Sequence, residues 1–212
     1  MRPQTNIGPM DHALAPTAAQ RDERLRAVEL LLSRQSANLL QEPAPDGAEL
    51  DLILDAGLRA PDHGRLRPWR FVLIRGNQRQ AWADRLAQAA LARDPVNGQA
   101  MGEKSRAWVA RTPLIIAVGT EVKAGNIPEI EQLLSAGAAA MNMLNAIHLL
   151  GYGGMWVTGA NSYDPQVNKW LGFEAPSRLV GFLGVGTPRP QPADAPKIAR
   201  PSRAQHTRDW TG

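Results

Sequence analysis

Arg59-Ala60-Pro61-Asp62-His63-Gly64-Arg65-Leu66-Arg67-Pro68-Trp69-Arg70-Phe71 separates a helical pattern from an extended one. Before it, Leu50, Ile53, Leu54, Gly57 and Leu58 recur at helical spacing. After it, Val72-Leu73-Ile74 reads as a strand. Pro61 drives Ala60 out of the helical region, so the helix ends near Arg59. Pro68 acts in the same way on Arg67 and opens an extended run at Trp69. Arg59, His63, Arg65 and Arg67 therefore lie on a basic loop between two rigid elements. Such a loop suits a flat anionic ligand, and it equally suits a solvated connection with scattered charge. The loop alone leaves both readings open.

Upstream of the loop, residues 22–35 set Leu25, Val28, Leu31 and Leu32 at helical spacing. Arg34 falls in the last turn, where a cation complements the helix dipole. Asp46 and Glu49 have capping-box spacing for the next helix. Downstream, residues 69–75 form the first strand, and Asn77 opens a helix to about Ala92. Asp94-Pro95-Val96-Asn97-Gly98 breaks the pattern, and a second helical stretch runs toward Val109. Leu114-Ile115-Ile116-Ala117-Val118 reads as a strand buried on both faces. Pro128 suits the first turn of a long helix whose apolar face carries Leu133, Gly137, Ala140, Met141, Leu144 and Ile147. The small run Ser135-Ala136-Gly137-Ala138-Ala139-Ala140 admits close approach of another helix, since Gly137 would otherwise cost about 1 kcal/mol. Gly151-Tyr152-Gly153-Gly154 ends that helix and allows a tight backbone approach. A strand at 155–159, a short helix capped by Ser162 or Asp164, and a last strand at 179–186 follow. The class is α+β, a mixed α/β arrangement with more helix than strand.

With 212 residues the chain has the length of one domain with a sizeable core. Residues 1–21 read as a disordered N-terminal extension, 22–192 as the domain and 193–212 as a Pro-rich tail. Absent cysteine excludes disulfides and thiolate chemistry and fits a reducing compartment, so a cytoplasmic location is expected. No apolar run of about 18 residues occurs, so no membrane span is expected. A net charge of +4 with no nucleic-acid motif gives no reason to expect a nucleic-acid partner. The four histidines show no metal-ligand spacing. No strand is followed by G-x-G-x-x-G, and no P-loop occurs, which disfavours a Rossmann dinucleotide site. Three groups remain for chemistry. Arg34 and Ser36 suit a phosphate, by a guanidinium fork and a hydroxyl. Arg59 and His63 form a second cationic cluster. Trp156, Val157 and Thr158, after a glycine pair, suit a ring system, although a core role for Trp156 explains it as well.

The order and spacing of these groups resemble the nitroreductase family of FMN-dependent oxidoreductases, within it a compact branch of NAD(P)H nitroreductases. The resemblance runs over residues 27–188. It rests on Leu30-Leu31-Leu32-Ser33-Arg34-Gln35-Ser36, Arg59-Ala60-Pro61-Asp62-His63 with Pro68, Trp69 and Phe71, Pro113-Leu114-Ile115-Ile116, Ser135-Ala136-Gly137, Gly151-Tyr152-Gly153-Gly154-Met155-Trp156, and Gly181-Phe182-Leu183 with Gly186-Thr187-Pro188. It implies a nitroreductase-like fold, a central mainly antiparallel sheet surrounded by helices, in a homodimer whose FMN sites are shared between subunits. It implies that Arg34, Gln35 and Ser36 hold the FMN phosphate and ribityl chain. Arg59 and His63 would reach FMN from the other subunit, and Trp156, Val157 and Thr158 would line the flavin ring. Pro68, Trp69, Gly151 and Arg189 are further candidates, Gly151 for the nicotinamide. Two departures remove positive charge: Gln35 and Val157 stand where the motif often has Arg, and Arg189 is a candidate to compensate. The implied reaction carries two electrons from NADH or NADPH to a nitroaromatic or quinone-like small-molecule acceptor by a ping-pong mechanism, with no catalytic side chain. The alternatives are a related flavin enzyme, for flavin breakdown or dehalogenation, and a non-catalytic FMN-binding protein.

Overall fold

The computed structural model describes residues 17–190 and 199–212. In chain order they form α1 (Ala18–Ser33), β1 (Leu40–Gln41), α2 (Gly47–Gly57), a 3-10 turn (His63–Arg65), β2 (Trp69–Arg75), α3 (Gln78–Arg93) and α4 (Gly98–Ala110). Then come β3 (Leu114–Thr120), α5 (Glu129–Leu149), β4 (Gly153–Val157), α6 (Pro165–Trp170), β5 (Arg178–Pro188) and a second 3-10 turn (Arg203–Gln205). β3 is buried at every position, because it lies between β2 and β5 and is covered on both faces. Its side chains alternate between two cores with the period of two that a strand imposes. Ile115 and Ala117 join Trp82, Leu86, Val109, Phe173 and Phe182 on one face. Leu114, Ile116 and Val118 join Ile53, Ala140, Met143, Ile147 and Leu183 on the other.

The sheet runs β4-β5-β3-β2, with all strand pairs antiparallel, and β1 pairs with the far end of β5. α3 lies on one side and α2 and α5 on the other, so the sheet is the middle of three layers. The expected α+β class with a mainly antiparallel sheet is therefore the observed architecture. No helix of the described residues is long and apolar enough to cross a membrane.

Several expectations need correction. The buried face of α5 is Ala136, Ala139, Ala140, Met143, Leu144 and Ile147, while Met141 points outward at 40% exposure. Apolar residues surround most of this helix, so periodicity alone could not set its rotation. α1 begins at Ala18, inside the expected extension, behind a capping box formed by Thr17 and Gln20. It buries no residue; Leu25, Val28 and Leu32 remain half exposed or more among the described residues. Asp46 stands at the N-cap of α2 but makes no side-chain cap; its carboxylate accepts from Arg75 at 2.9 Å. The N-terminal residues 1–16 and the tail segment 191–198 lie outside the described residues.

Gly119 marks the tightest contact of this core: a Cβ there would overlap the ring of buried Phe173. Gly119→Ala is expected to lower unfolding stability by about 1–3 kcal/mol through overpacking. Urea unfolding checks this; an unchanged midpoint would contradict the packing.

Candidate functional site

The site residues are arranged at the two ends of α5. At its C-terminal end, His148 Nε2 lies 2.9 Å from Leu30 O and 2.9 Å from Ser33 Oγ. A carbonyl only accepts, so Nε2 carries the proton and donates. Ser33 Oγ also donates to Leu30 O at 2.7 Å. These bonds fix the end of α1, and with it Arg34, whose N–H donates to Leu31 O at 3.2 Å. The chain then presses against β4: Ala37 N–H donates to Gly154 O at 3.1 Å, and Ser36 forms a parallel bridge with Gly154. Glycine is needed there, because a Cβ at Gly153 would stand 2.9 Å from Ala37 and Leu40, and one at Gly154 2.9 Å from Leu144. The tight approach expected at the glycine pair is thus made by the Arg34–Ala37 segment itself. Tyr152, just before, donates its phenol proton to Glu49 at 2.6 Å. That hydrogen bond, with some desolvation, raises its pKa above the usual tyrosine value and pins the start of β4 to α2.

A strand residue directs its N–H and C=O to the same side, alternating along the chain. Gly154 O faces Ala37, so the backbone groups of Trp156 face the same edge. From Gly154 to Thr158 the chain advances roughly 13 Å at about 3.3 Å per residue. The side chain of Trp156 turns elsewhere. It packs into the space over Gly181 and lies near Gly137, half-buried against the second core, with Nε1 buried and without a hydrogen-bond partner among the described residues. Its indole is a wall, and its backbone belongs to the edge. Val157 is half-buried and Thr158 exposed. Arg34 is half-buried, Gln35 and Ser36 are exposed, and the side chains of Arg34 and Ser36 have no partner among the described residues. A guanidinium and a hydroxyl with no carboxylate on them, at one end of a free strand edge, fit a phosphate followed by a flat polar-edged ring.

The second cluster lies at the N-terminal end of α5. Ser135 Oγ donates to Pro61 O at 2.6 Å and accepts from Trp69 Nε1 at 3.0 Å. Asp62 stiffens the loop, its carboxylate accepting from Leu66 N at 3.2 Å and Arg67 N at 2.7 Å. Lys123 Nζ donates to Leu66 O at 2.7 Å. His63 Nδ1 contacts Glu131 Oε2 at 2.6 Å, beside a cavity of about 340 Å³ lined by Pro61, His63, Glu131, Leu134 and Ala138. Arg59, Arg65 and Arg67 are exposed, and their guanidinium groups have no partner among the described residues. Pro68 is buried, its carbonyl accepting from Glu121 N at 2.7 Å.

Ser36 is therefore bridged to Gly154, two residues before Trp156, while the Trp156 indole lies beside Gly137, two residues from the Ser135 that holds Trp69. Arg34 and Ser36 stand at the opposite end of α5 from Arg59 and His63, with Trp156 between. Glu131 and His148 are 17 positions apart on α5, which is about 25 Å at 1.5 Å per residue. Gly151 ends α5 at φ 85°, and Arg189 lies near the first cluster, its N–H donating to Leu39 O at 2.9 Å. A larger cavity of about 690 Å³, between α6 and the turn before β5, contains none of the expected site residues. Ser135, His148, Asp62 and Glu131 position the site and were not singled out in the sequence. Ser135, in the small-residue run, and Asp62, in the Arg59–His63 stretch, carried a signal, whereas His148 and Glu131 carried none.

Comparison with known proteins bears on this geometry. The family model described as "Nitroreductase family" matches residues 32–187. The protein named "Putative NAD(P)H nitroreductase YdjA" of Escherichia coli K12 is 42% identical over 164 residues, 77% of this chain and 88% of the relative. The nitroreductase-like family protein from Bacillus cereus superposes with a TM-score of 0.72 at 20% identity, over 94% of this chain and 100% of that one. A nitroreductase with bound FMN from Bacteroides fragilis superposes with a TM-score of 0.61 at 19% identity, over 82% and 98%.

Ser135→Ala would leave both the Trp69 indole N–H and the Pro61 carbonyl without their partner. It is expected to destabilise the chain by about 1–3 kcal/mol and to speed amide exchange in residues 59–67. Exchange rates there equal to wild type would show that the loop is held by something else.

Proposed function

The chain belongs to the nitroreductase family, and from that premise we propose that it is an FMN-dependent oxidoreductase. Its donor is NADH or NADPH and its acceptor a nitroaromatic or quinone-like molecule. The observation that carries the reading is the pair Arg34 and Ser36, whose side chains have no partner among the described residues, held near the edge of β4. Bound FMN supplies hydride acceptance from the nicotinamide and two-electron transfer to the acceptor, in ping-pong alternation. Arg34 holds the phosphate by its guanidinium fork and Ser36 adds a hydroxyl donor. The backbone N–H of Trp156, on the edge of β4 turned away from β5, would offer a donor to the polar edge of the ring, where a donor would stabilise negative charge. No side chain is required as acid or base.

The reading extends to a homodimer with two shared sites. Arg59 and His63 stand about 25 Å along α5 from the phosphate cluster, so one phosphate cannot meet both clusters of one chain. A second copy about a two-fold axis crossing α5 sets the N-terminal end of one helix beside the C-terminal end of the other. The outward side of α5 suits that contact: Ile130, Leu134 and Met141 are 59%, 65% and 40% exposed, and half-buried Gly137 and Ala138 lie between them.

Purified protein is expected to be yellow, to release FMN on heating, and to bleach with NAD(P)H without air. Release of FAD, or no flavin after reconstitution, would overturn the assignment. Arg34→Ala is expected to weaken FMN binding roughly 10- to 100-fold, as loss of a charged hydrogen bond, while Arg65→Ala changes it little. The shared site is tested by complementation. A chain carrying Arg34→Ala and Ser36→Ala, co-expressed with one carrying Arg59→Ala and His63→Ala, forms heterodimers with one intact pocket and one doubly damaged. The purified heterodimer is expected to hold about half the wild-type flavin. Flavin no higher than in either parent would reject the shared site.

A further inference from the structure

We propose that the cavity of about 690 Å³ between α6 and the turn before β5 is a second binding site, for a neutral ring compound bearing one oxygen. The inference stands apart from the flavin reading. Leu133, Phe173, Pro176, Leu179 and Val180 give the cavity apolar walls. Its volume is that of an ordinary small-molecule site, roughly 300–1,000 Å³. Ser162 also lines it. That serine is 3% exposed, and its hydroxyl has no hydrogen-bond partner among the described residues. A buried hydroxyl without a partner is costly, and an oxygen on a bound ring removes the cost. The cavity shares no lining residue with the one beside His63. Leu133 and His148 are 15 positions apart on α5, about 22 Å at 1.5 Å per residue, so the site is also separate from the Arg34 cluster.

The polar groups around Ser162 are already used, and this selects the class of ligand. Asp164 accepts from Gln166 N at 2.8 Å and Val167 N at 3.2 Å, and Arg93 donates to its other oxygen. Asn168 Nδ2 donates to Ser162 O at 3.0 Å and to Asp164 O at 2.8 Å, while its Oδ1 accepts from Leu179 N at 2.8 Å. One side chain thus pins the Ser162 wall to the β5 wall, so the cavity is formed before a ligand enters. At the rim, Lys169 Nζ stands 3.8 Å from Glu174 Oε1, and Arg178 Nε lies 2.7 Å from Glu129 Oε1. Each cation has its carboxylate, so the rim offers no unpaired charge to an anion. Tyr163 and Gln166 are exposed, and water serves them. One buried hydroxyl on apolar walls matches a neutral ring with one oxygen. A competing role is simpler: water fills the cavity and satisfies Ser162. The two roles differ in one measurable respect. A ring oxygen gains from Ser162 in the first case and gains nothing from it in the second.

The test titrates the full chain, in the presence of FMN, with naphthol, naphthalene and naphthoate by calorimetry. Naphthol is expected to bind more tightly than either of the others. Ser162→Ala is expected to weaken naphthol binding roughly 3- to 10-fold, as loss of one neutral hydrogen bond, and to leave naphthalene unchanged. The alanine variant is expected to fold at least as well as wild type, because the hydroxyl it removes has no partner among the described residues. Ala175→Trp, which fills the cavity from an exposed lining position, is expected to abolish binding of both naphthol and naphthalene. Equal naphthol constants for wild type and Ser162→Ala, unchanged binding in Ala175→Trp, or naphthoate binding tighter than naphthol would each overturn the proposal. A wild-type chain that binds none of these probes would overturn it as well. The flavin reading is decided separately, by the FMN released on heating.

Discussion

The alanine face of α5 against the sheet is the contact on which the site geometry depends. Ala136, Ala139 and Ala140 are fully buried, and their short side chains let the helix axis lie close to β3 and β5. A helix of 21 residues is about 31 Å long, which makes α5 a rod across one face of the molecule. Both cation clusters are tethered to this rod by side-chain hydrogen bonds, His148 to the α1 end and Ser135 to the Pro61 loop. Displacing the helix from the sheet would move both clusters together. The core and the candidate site are thus coupled through one element.

Elements whose signals are local were legible in the sequence. Pro61 and Pro68 delimit the basic loop, and the apolar run at Leu114–Val118 lies in a strand buried on both faces. β1 was not legible, because two residues carry no period and the strand exists only as a partner for the end of β5. The rotation of α5 was not legible either, since Met141 and Met143 are equally apolar and only the sheet decides which is inside. Asp46 shows a competition that spacing cannot resolve: its carboxylate fits a cap, but Arg75, at the end of β2, lies within reach and takes it.

The candidate site divides in the same way. Arg34, Ser36, Arg59 and His63 were visible as residue types suited to a phosphate and to charge. Their supports were not, because a serine in a run of alanines or a lone histidine gains its role only from a partner far along the chain. Trp69 and Trp156 show how far aromatic identity reaches. Each was visible as a large ring near the site, yet Ser135 fixes the first and the notch over Gly181 receives the second. In the second case the side chain belongs to the core and the backbone to the edge of β4 turned away from β5, a division that no residue type announces.

The proposed pairing of two chains has an energetic condition that reaches α1. Full burial of a large aliphatic side chain stabilises by about 1.5–3 kcal/mol, so half-exposed Ile130, Leu134 and Met141 each offer on the order of 1 kcal/mol. Association costs an estimated 4–15 kcal/mol in lost freedom before any side chain is ordered. The α5 stripe of two copies is of that order and leaves little surplus. α1 exposes Leu25, Val28 and Leu32 at 53%, 51% and 71%, and its C-terminal end lies against α5 through His148. A stable pair on the α5 face therefore requires α1 to be covered as well. On that proposal the exposed Leu25, Val28 and Leu32 of α1, a helix with no buried residue among those described, belong to the paired surface.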